Sequence, residues 1–183
     1  MMKVFVAGSR KISRFNDAIR NRLTGMIESD LEVLVGDANG VDKATQKHFA
    51  ECGYPRVTVY HSGTEARNNL ANWPTEQVHS TSKKKDFSFY MAKDNEMSER
   101  ADFGFMIWDG ESKGTLNNIL NLIERQKTVV VYFGPQKECV TVSAPAELEP
   151  MLRQCSDKAL ATFEMKIDLG ARLNGGQQKL TLA

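Results

Sequence analysis

The sequence is poor in the residues that staple small secreted folds. It holds three cysteines in 183 residues, Cys52, Cys139 and Cys155, far apart and without a C-x-x-C pair. That excludes a disulfide framework and a paired-cysteine zinc site, and it fits a reducing cytoplasm. No metal and no cofactor are expected. An excess of one charge is missing too, because 24 Lys and Arg stand against 23 Asp and Glu. Such a balance leaves no electrostatic footprint for duplex nucleic acid, so nucleic acid is disfavoured as a partner. No apolar run approaches the roughly 18 residues that cross a bilayer, and no membrane association is expected. Met1-Met2-Lys3 leads directly into VFVAG, too short and too soon interrupted for a secretion signal, which again points to a cytoplasmic protein.

Familiar site motifs are also absent. There is no G-x-G-x-x-G dinucleotide fingerprint and no Walker A loop. One pattern matches and misleads: Gly110-Glu111-Ser112-Lys113-Gly114 is a G-x-S-x-G between a strand-like and a helix-like run. In hydrolases of that type the His follows the Ser. Here the three histidines, His48, His61 and His79, all precede it, so a serine hydrolase is set aside.

What the chain does contain is an alternation of strand and helix patterns. Lys3 to Ala7, Leu31 to Val35, Arg56 to Tyr60, Phe103 to Trp108 and Thr128 to Phe133 are short apolar runs that read as strands. Between them, Ile12, Phe15, Ile19, Leu23 and Met26 recur at helical spacing, as do Val41, Ala44, His48, Phe49 and Cys52, and Leu116, Ile119, Leu120 and Ile123. Strands alternating with helices predict right-handed crossovers and a mainly parallel sheet. The expected fold is a Rossmann-like, doubly wound three-layer α/β/α sandwich over residues 1–135, with a C-terminal helical extension over 136–183. In that extension Glu138 to Val142 reads as a short strand, and Leu148, Leu152, Cys155, Ala159 and Phe163 form one stripe. The stripe is read as packing on the domain's own flank, with a homodimer contact as its alternative. The glycine-bearing end, Gly170 to Ala183, is expected to be mobile. The long polar segment His61 to Phe87, with Lys83-Lys84-Lys85, is expected to be a loop on the site's edge that forms a lid.

The chemistry is expected at glycine-bearing turns that end strands and open helices. Such turns aim backbone N–H groups at an anion, and in doubly wound sheets they meet where strand order reverses. The turns are Gly8-Ser9-Arg10, then Gly36-Asp37-Ala38-Asn39-Gly40 through Asp42, then Trp108-Asp109-Gly110 through Ser112, Gly114 and Thr115. Glycines let the backbone approach a ligand. Ser9, Ser112 and Thr115 offer hydroxyls, Arg10 a fork for phosphate, and Asp37, Asp42 and Asp109 acceptors for ribose hydroxyls or base amines. Trp108 is read with equal weight as a base-stacking ring or as core.

At these residues the chain resembles the SLOG superfamily. The segments are VFVAGSR, VLVGDANGVDKATQKHFAECGY, KDNEMSERADFGFMIWDGESKGTLNNI and KTVVVYF, and they span most of residues 1–135. That group includes the "lonely guy" phosphoribohydrolases, the DNA-processing protein of natural transformation and sensor domains of bacterial defence systems. The resemblance implies a nucleotide-derived ligand with its phosphate on the glycine loops. Lys93-Asp94-Asn95-Glu96-Met97 is similar to a family Arg-Asn-x-x-Met segment, so Lys93 is the expected contact to phosphate or ribose. Asn118 stands where the phosphoribohydrolases carry a Glu, and an amide is neither a carboxylate nucleophile nor a base. The expected function is therefore a binding or sensing module for a mononucleotide or ADP-ribose-type molecule. The alternative is an N-glycosidic hydrolase or transferase that uses Asp94 or Asp109 as its catalytic carboxylate.

Overall fold

The computed structural model describes residues 1–80 and 86–180, with 176–180 as backbone alone. The apolar runs form strands β1 (Lys3–Gly8), β2 (Glu32–Gly36) and β3 (Val57–His61), and β5 (Phe103–Trp108) and β6 (Val129–Phe133) follow later in the chain. A short strand β4 (Thr75–Gln77) and a terminal strand β7 (Glu138–Val142) complete one sheet in the order β4-β3-β2-β1-β5-β6-β7. Every neighbouring pair is parallel except β6 with β7. The helices are α1 (Asp17–Glu28), α2 (Val41–Glu51), α3 (Phe87–Arg100), α4 (Lys113–Glu124), the short α5 (Glu149–Leu152), α6 (Asp157–Ile167) and α7 (Leu169–Leu180).

Side chains alternate across the sheet, and helices cover both faces. Val4, Val6, Val33, Val35, Val57 and Val59 face Ile19, Leu23 and Met26 of α1 and Phe49 of α2. Phe5, Ala7, Met106, Val129 and Val131 face Met97 of α3 and Leu116, Ile119 and Leu120 of α4. A strand covered on both faces reads as a continuous apolar run rather than an alternating one. This is the Rossmann-like three-layer arrangement that the sequence predicts.

Strand order fixes where a ligand can enter. The chain steps outward from β1 to β4, then returns to lay β5 on the other side of β1. The reversal lies between β1 and β5, and a crevice opens beyond their carboxyl ends. Two elements of the fold do not follow from apolar runs. β4 is three exposed residues, and α3 begins where a loop is expected, capped by the Asp86 carboxylate accepting from Phe89 N at 3.0 Å.

Segment 61–80 is fastened rather than free. The Gln46 amide, fully buried on α2, donates to the carbonyls of Gly36 and Asn68 and accepts from Leu70 N. Trp73 is buried and donates its indole N–H to the Tyr54 carbonyl at 2.9 Å. The expected lid is thus tied to α2 and β2 over that stretch, and Lys83-Lys84-Lys85 lies outside the described residues. Beyond β6, β7 joins the sheet edge, and Leu148, Leu152, Ala159 and Phe163 bury into the same core as Trp108, with Cys155 packed against it. Residues Leu169–Leu180 form α7; of the expected mobile end, Gly170 to Ala183, residues 181–183 lie outside the described residues. Among the described residues no helix is long and apolar enough to cross a membrane.

Candidate functional site

A cleft of about 530 Å³ opens at the strand reversal. Its walls come from the β1 turn (Gly8, Ser9, Arg10), the start of α2 (Ala38, Asp42), one face of α3 (Phe87, Tyr90, Met91, Asp94) and the β5 turn with the first turn of α4 (Asp109, Ser112, Gly114, Thr115, Asn118). The α3 positions are spaced i, i+3, i+4, i+7, which is one helical face.

The turns hold one another. The Ser9 hydroxyl donates to Asp109 Oδ2 at 2.5 Å, joining the β1 and β5 turns. The Ser9 carbonyl accepts from Val41 N at 3.2 Å, joining β1 to the start of α2. Gly40 sits at φ +81°, and a Cβ there would run into the backbone of Arg10. Only glycine admits both that conformation and that approach. Asp109 Oδ1 accepts from the amides of Glu111 and Ser112 at 3.0 and 2.8 Å. Both Asp109 oxygens therefore help to shape the turn, while the residue still lines the cleft.

The floor is a buried polar cluster. Lys93 and Asp42 are 4% and 6% exposed. Lys93 Nζ donates to Asp94 Oδ1 at 2.7 Å, and Asn118 Nδ2 donates to Asp94 Oδ2 at 3.2 Å. Asp42 Oδ2 accepts from Ala38 N at 3.1 Å. A Cβ on Gly36 would collide with Asp42 Oδ2 and come within 2.6 Å of Lys93 Nζ, so the bare end of β2 is what lets both charged groups converge. Burial pushes the Asp42 carboxyl up to about 6; Lys93 pulls it down and Asp94 adds to the rise. Burial lowers the proton affinity of Lys93, but Asp94, Asp42 and Asp37 outweigh it and keep the amine charged. One atom is left over: Asn118 Oδ1 is buried and has no hydrogen-bond partner.

Several expected site residues lie elsewhere. Gly36, Asp37, Asn39, Gly40, Trp108 and Gly110 stand outside the cleft lining. Asp37 is 2% exposed and bound by both arms of Arg67, Nε at 2.8 Å and Nη2 at 2.6 Å. Burial pushes its carboxyl up, but the Arg67 donors and Lys93 more than offset that and hold it below the ordinary value. Its carboxylate is held by Arg67 within the fold. Asn39 Oδ1 accepts from the Asn68 amide at 3.2 Å. Trp108 is fully buried between Phe133 and Phe163, so no ring face is left for a base. The aromatic surface at the mouth belongs to α3 instead. The guanidinium groups of Arg67 and Arg10 lie over the Tyr90 ring at 4.9 and 5.3 Å, and Lys113 Nζ over Phe87 at 4.8 Å. The helical stripe Phe87, Tyr90, Met91 is the sequence signal that could have found this wall.

The mouth carries charges of both signs, with the Asp86 and Glu111 carboxylates beside the cations. Arg10, Lys11 and Lys113 line it. The first-turn amides of Lys113 and Gly114 have no earlier helical turn to bond and sit at the positive end of α4. Cations and amides at the mouth, rings on one wall, and carboxylates with a lysine on the floor can hold a phosphorylated, hydroxyl-bearing ligand.

No family model matches this sequence, and no curated protein does. Among solved structures, the fold is similar to that of DNA processing protein A from Helicobacter pylori, whose structure was described for its unique single-stranded DNA binding mode. The TM-score is 0.51 with 17% sequence identity, over 71% of this chain and 64% of that one. The chain thus spans less than two thirds of that protein's length. The likeness is one of fold. It also corrects the expectation that near-neutral charge disfavours nucleic acid, because a protein of this fold binds single-stranded DNA. Net charge averages over the whole surface, whereas Arg10 and Lys113 set cations locally against the Tyr90 and Phe87 rings of one cleft.

Proposed function

We propose that the cleft binds a nucleotide-derived small molecule, a mononucleotide or ADP-ribose-type ligand, and that the chain is a binding or sensing module of the SLOG type. One observation carries the reading: a single cleft at the strand reversal combines the cations Arg10, Lys11 and Lys113 and the start of α4 at its mouth with a buried polar floor. Its volume of about 530 Å³ suits a small ligand. In this reading phosphate meets the amides of Lys113 and Gly114, with Arg10 and Lys113 alongside. Gly8, Ser9, Ala38, Ser112 and Thr115 shape the walls, and the base lies against Phe87 and Tyr90. Native mass spectrometry of protein purified from cells should detect a retained nucleotide. Thermal shift should rise with 5′-nucleotides and stay flat with the matching nucleosides. A panel of mono-, di- and cyclic nucleotides and ADP-ribose without any shift would sink the proposal.

Single-stranded nucleic acid is a second reading, favoured by the arginine-flanked Tyr90 ring and the lysine over Phe87. Stacking rings beside cations suit successive bases. It predicts a gel shift with an oligonucleotide that fades with salt and is lost in Tyr90→Ala. Turnover would be another use of the same cleft, with Asp42, whose carboxyl burial pushes up to about 6, as the proton-exchanging group. Its mark would be free base released from a nucleoside monophosphate and abolished by Asp42→Asn.

A further inference from the structure

The polar cluster beneath the cleft holds more acid than its cations match. Asp37, Asp42 and Asp94 supply three carboxylates, against the cations Arg67 and Lys93. Arg67 is taken by Asp37, through both arms of its guanidinium. Lys93 Nζ is taken by Asp94 at 2.7 Å. Asp42 is the carboxyl left over. Among the described residues it has no ion pair, and its Oδ2 accepts from the Ala38 amide. It is nonetheless buried, and it lines the cleft. A buried carboxyl without a cation of its own sheds its charge by taking a proton. Burial pushes it up to about 6; Lys93 works against that rise, and Asp94 and Asp37 work with it.

A phosphorylated ligand adds negative charge to this balance. Arg10 and Lys11 of the β1 turn line the same cleft and screen part of it, and from α4 the neutral Asn118 is bonded to Asp94. Arg67 and Lys93 are already paired, so the remaining field falls on Asp42. We infer that the cleft takes up a proton together with an anionic ligand, the Asp42 carboxyl receiving it, so that binding is tighter in mild acid than in mild alkali. The inference rests on the nucleotide reading of the cleft and adds its regulation by pH. It needs no contact between Asp42 and the ligand, because the coupling is a field acting across the cleft. Linkage fixes the sign: a ligand that raises the proton affinity of Asp42 is itself bound more tightly when Asp42 is protonated. Affinity is therefore highest below about 6 and declines as pH rises through that value.

Calorimetric titration of the full chain with ADP-ribose, whose diphosphate keeps its charge from mild acid to mild alkali, tests this. Near neutrality, buffers of different ionisation enthalpy should report uptake of roughly one proton per ligand. Affinity should fall by about tenfold between about pH 5 and about pH 8. Asp42→Asn, neutral at every pH, should abolish the uptake and flatten the pH profile near the wild-type acid value. Should only AMP bind, whose phosphate itself titrates in this range, the excess uptake of wild type over Asp42→Asn is the measure. Should Asp42→Asn fail to fold by circular dichroism, the Asp42 carboxyl carbon followed by NMR in wild type replaces it, and its titration should move to higher pH on binding. Binding without proton uptake, or with proton release, would overturn the inference and leave the nucleotide cleft standing. Binding of neither ligand would overturn both.

Discussion

Asp42 shows how a single buried carboxyl links site and stability. Its folded value near 6 lies above its ordinary 3.8 because burial penalises the charge. The folded state therefore holds this proton more tightly than the unfolded chain. The resulting stabilisation is fully present below about 3.8 and is lost as pH rises through 6. The loss is on the order of 3 kcal/mol. Asp42→Asn abolishes that loss, so between pH 4 and 7.5 its stability should gain on wild type by about that amount, measured by urea unfolding at each pH. A gap that does not move with pH would show that Asp42 ionises freely in the folded protein. At this scale sequence reading is uneven for a physical reason. Asp37 and Asp42 are the same residue type in the same glycine-bearing turn. Their roles separate only because Arg67, thirty positions later, closes on Asp37. Likewise Trp108 ends a strand at the site's edge, but α6 supplies Phe163 to enclose it. Partners so far along the chain leave no local mark.

Elements whose residues repeat a pattern were legible, and those defined by contact were not. β1, β2, β3, β5 and β6 follow from short apolar runs, and α1, α2 and α4 from inward stripes. β4 is a three-residue exposed edge, paired with β3 because the preceding segment is pinned beside it. The exposed end of α3 is polar, and its cleft-facing stripe of Phe87, Tyr90, Met91 and Asp94 ends in a charge, so its only mark is a short aromatic stripe at helical spacing. The pin itself is testable. Arg67 binds Asp37 through its side chain and its own backbone N–H at 3.1 Å. Arg67→Ala would leave the buried Asp37 carboxylate without its fork. Arg67 is 39% exposed on its side chain, which moderates the loss to about 2–3 kcal/mol. Hydrogen exchange should quicken at 62–74, with the β1 and β5 amides still protected. Unchanged exchange in that segment would mean that Gln46 and Trp73 suffice to hold it.

At the scale of the whole molecule, the two tryptophans report on opposite faces of one sheet. Trp73 belongs with α1, α2 and Val57 and Val59, and Trp108 with α4, α6 and Phe133. We propose that these faces unfold together, because every core strand sends alternate side chains to both and cannot lose one layer without exposing the other. Phe163 is the sharpest probe, being fully buried on α6 against Trp108, the side chain that ends β5 beneath the candidate site. Phe163→Ala opens a cavity there at a cost of about 3–5 kcal/mol. With Trp73→Phe and Trp108→Phe backgrounds isolating each fluorophore, the Phe163→Ala transition should fall to the same lower midpoint by both signals. If Trp108 reported early unfolding while Trp73 held its original midpoint, residues beyond β6 would be a separate cooperative unit docked on a self-sufficient sheet. The wall of the cleft that Thr162 supplies from α6 would then be detachable, and ligand affinity would fall with that early transition instead of with global unfolding.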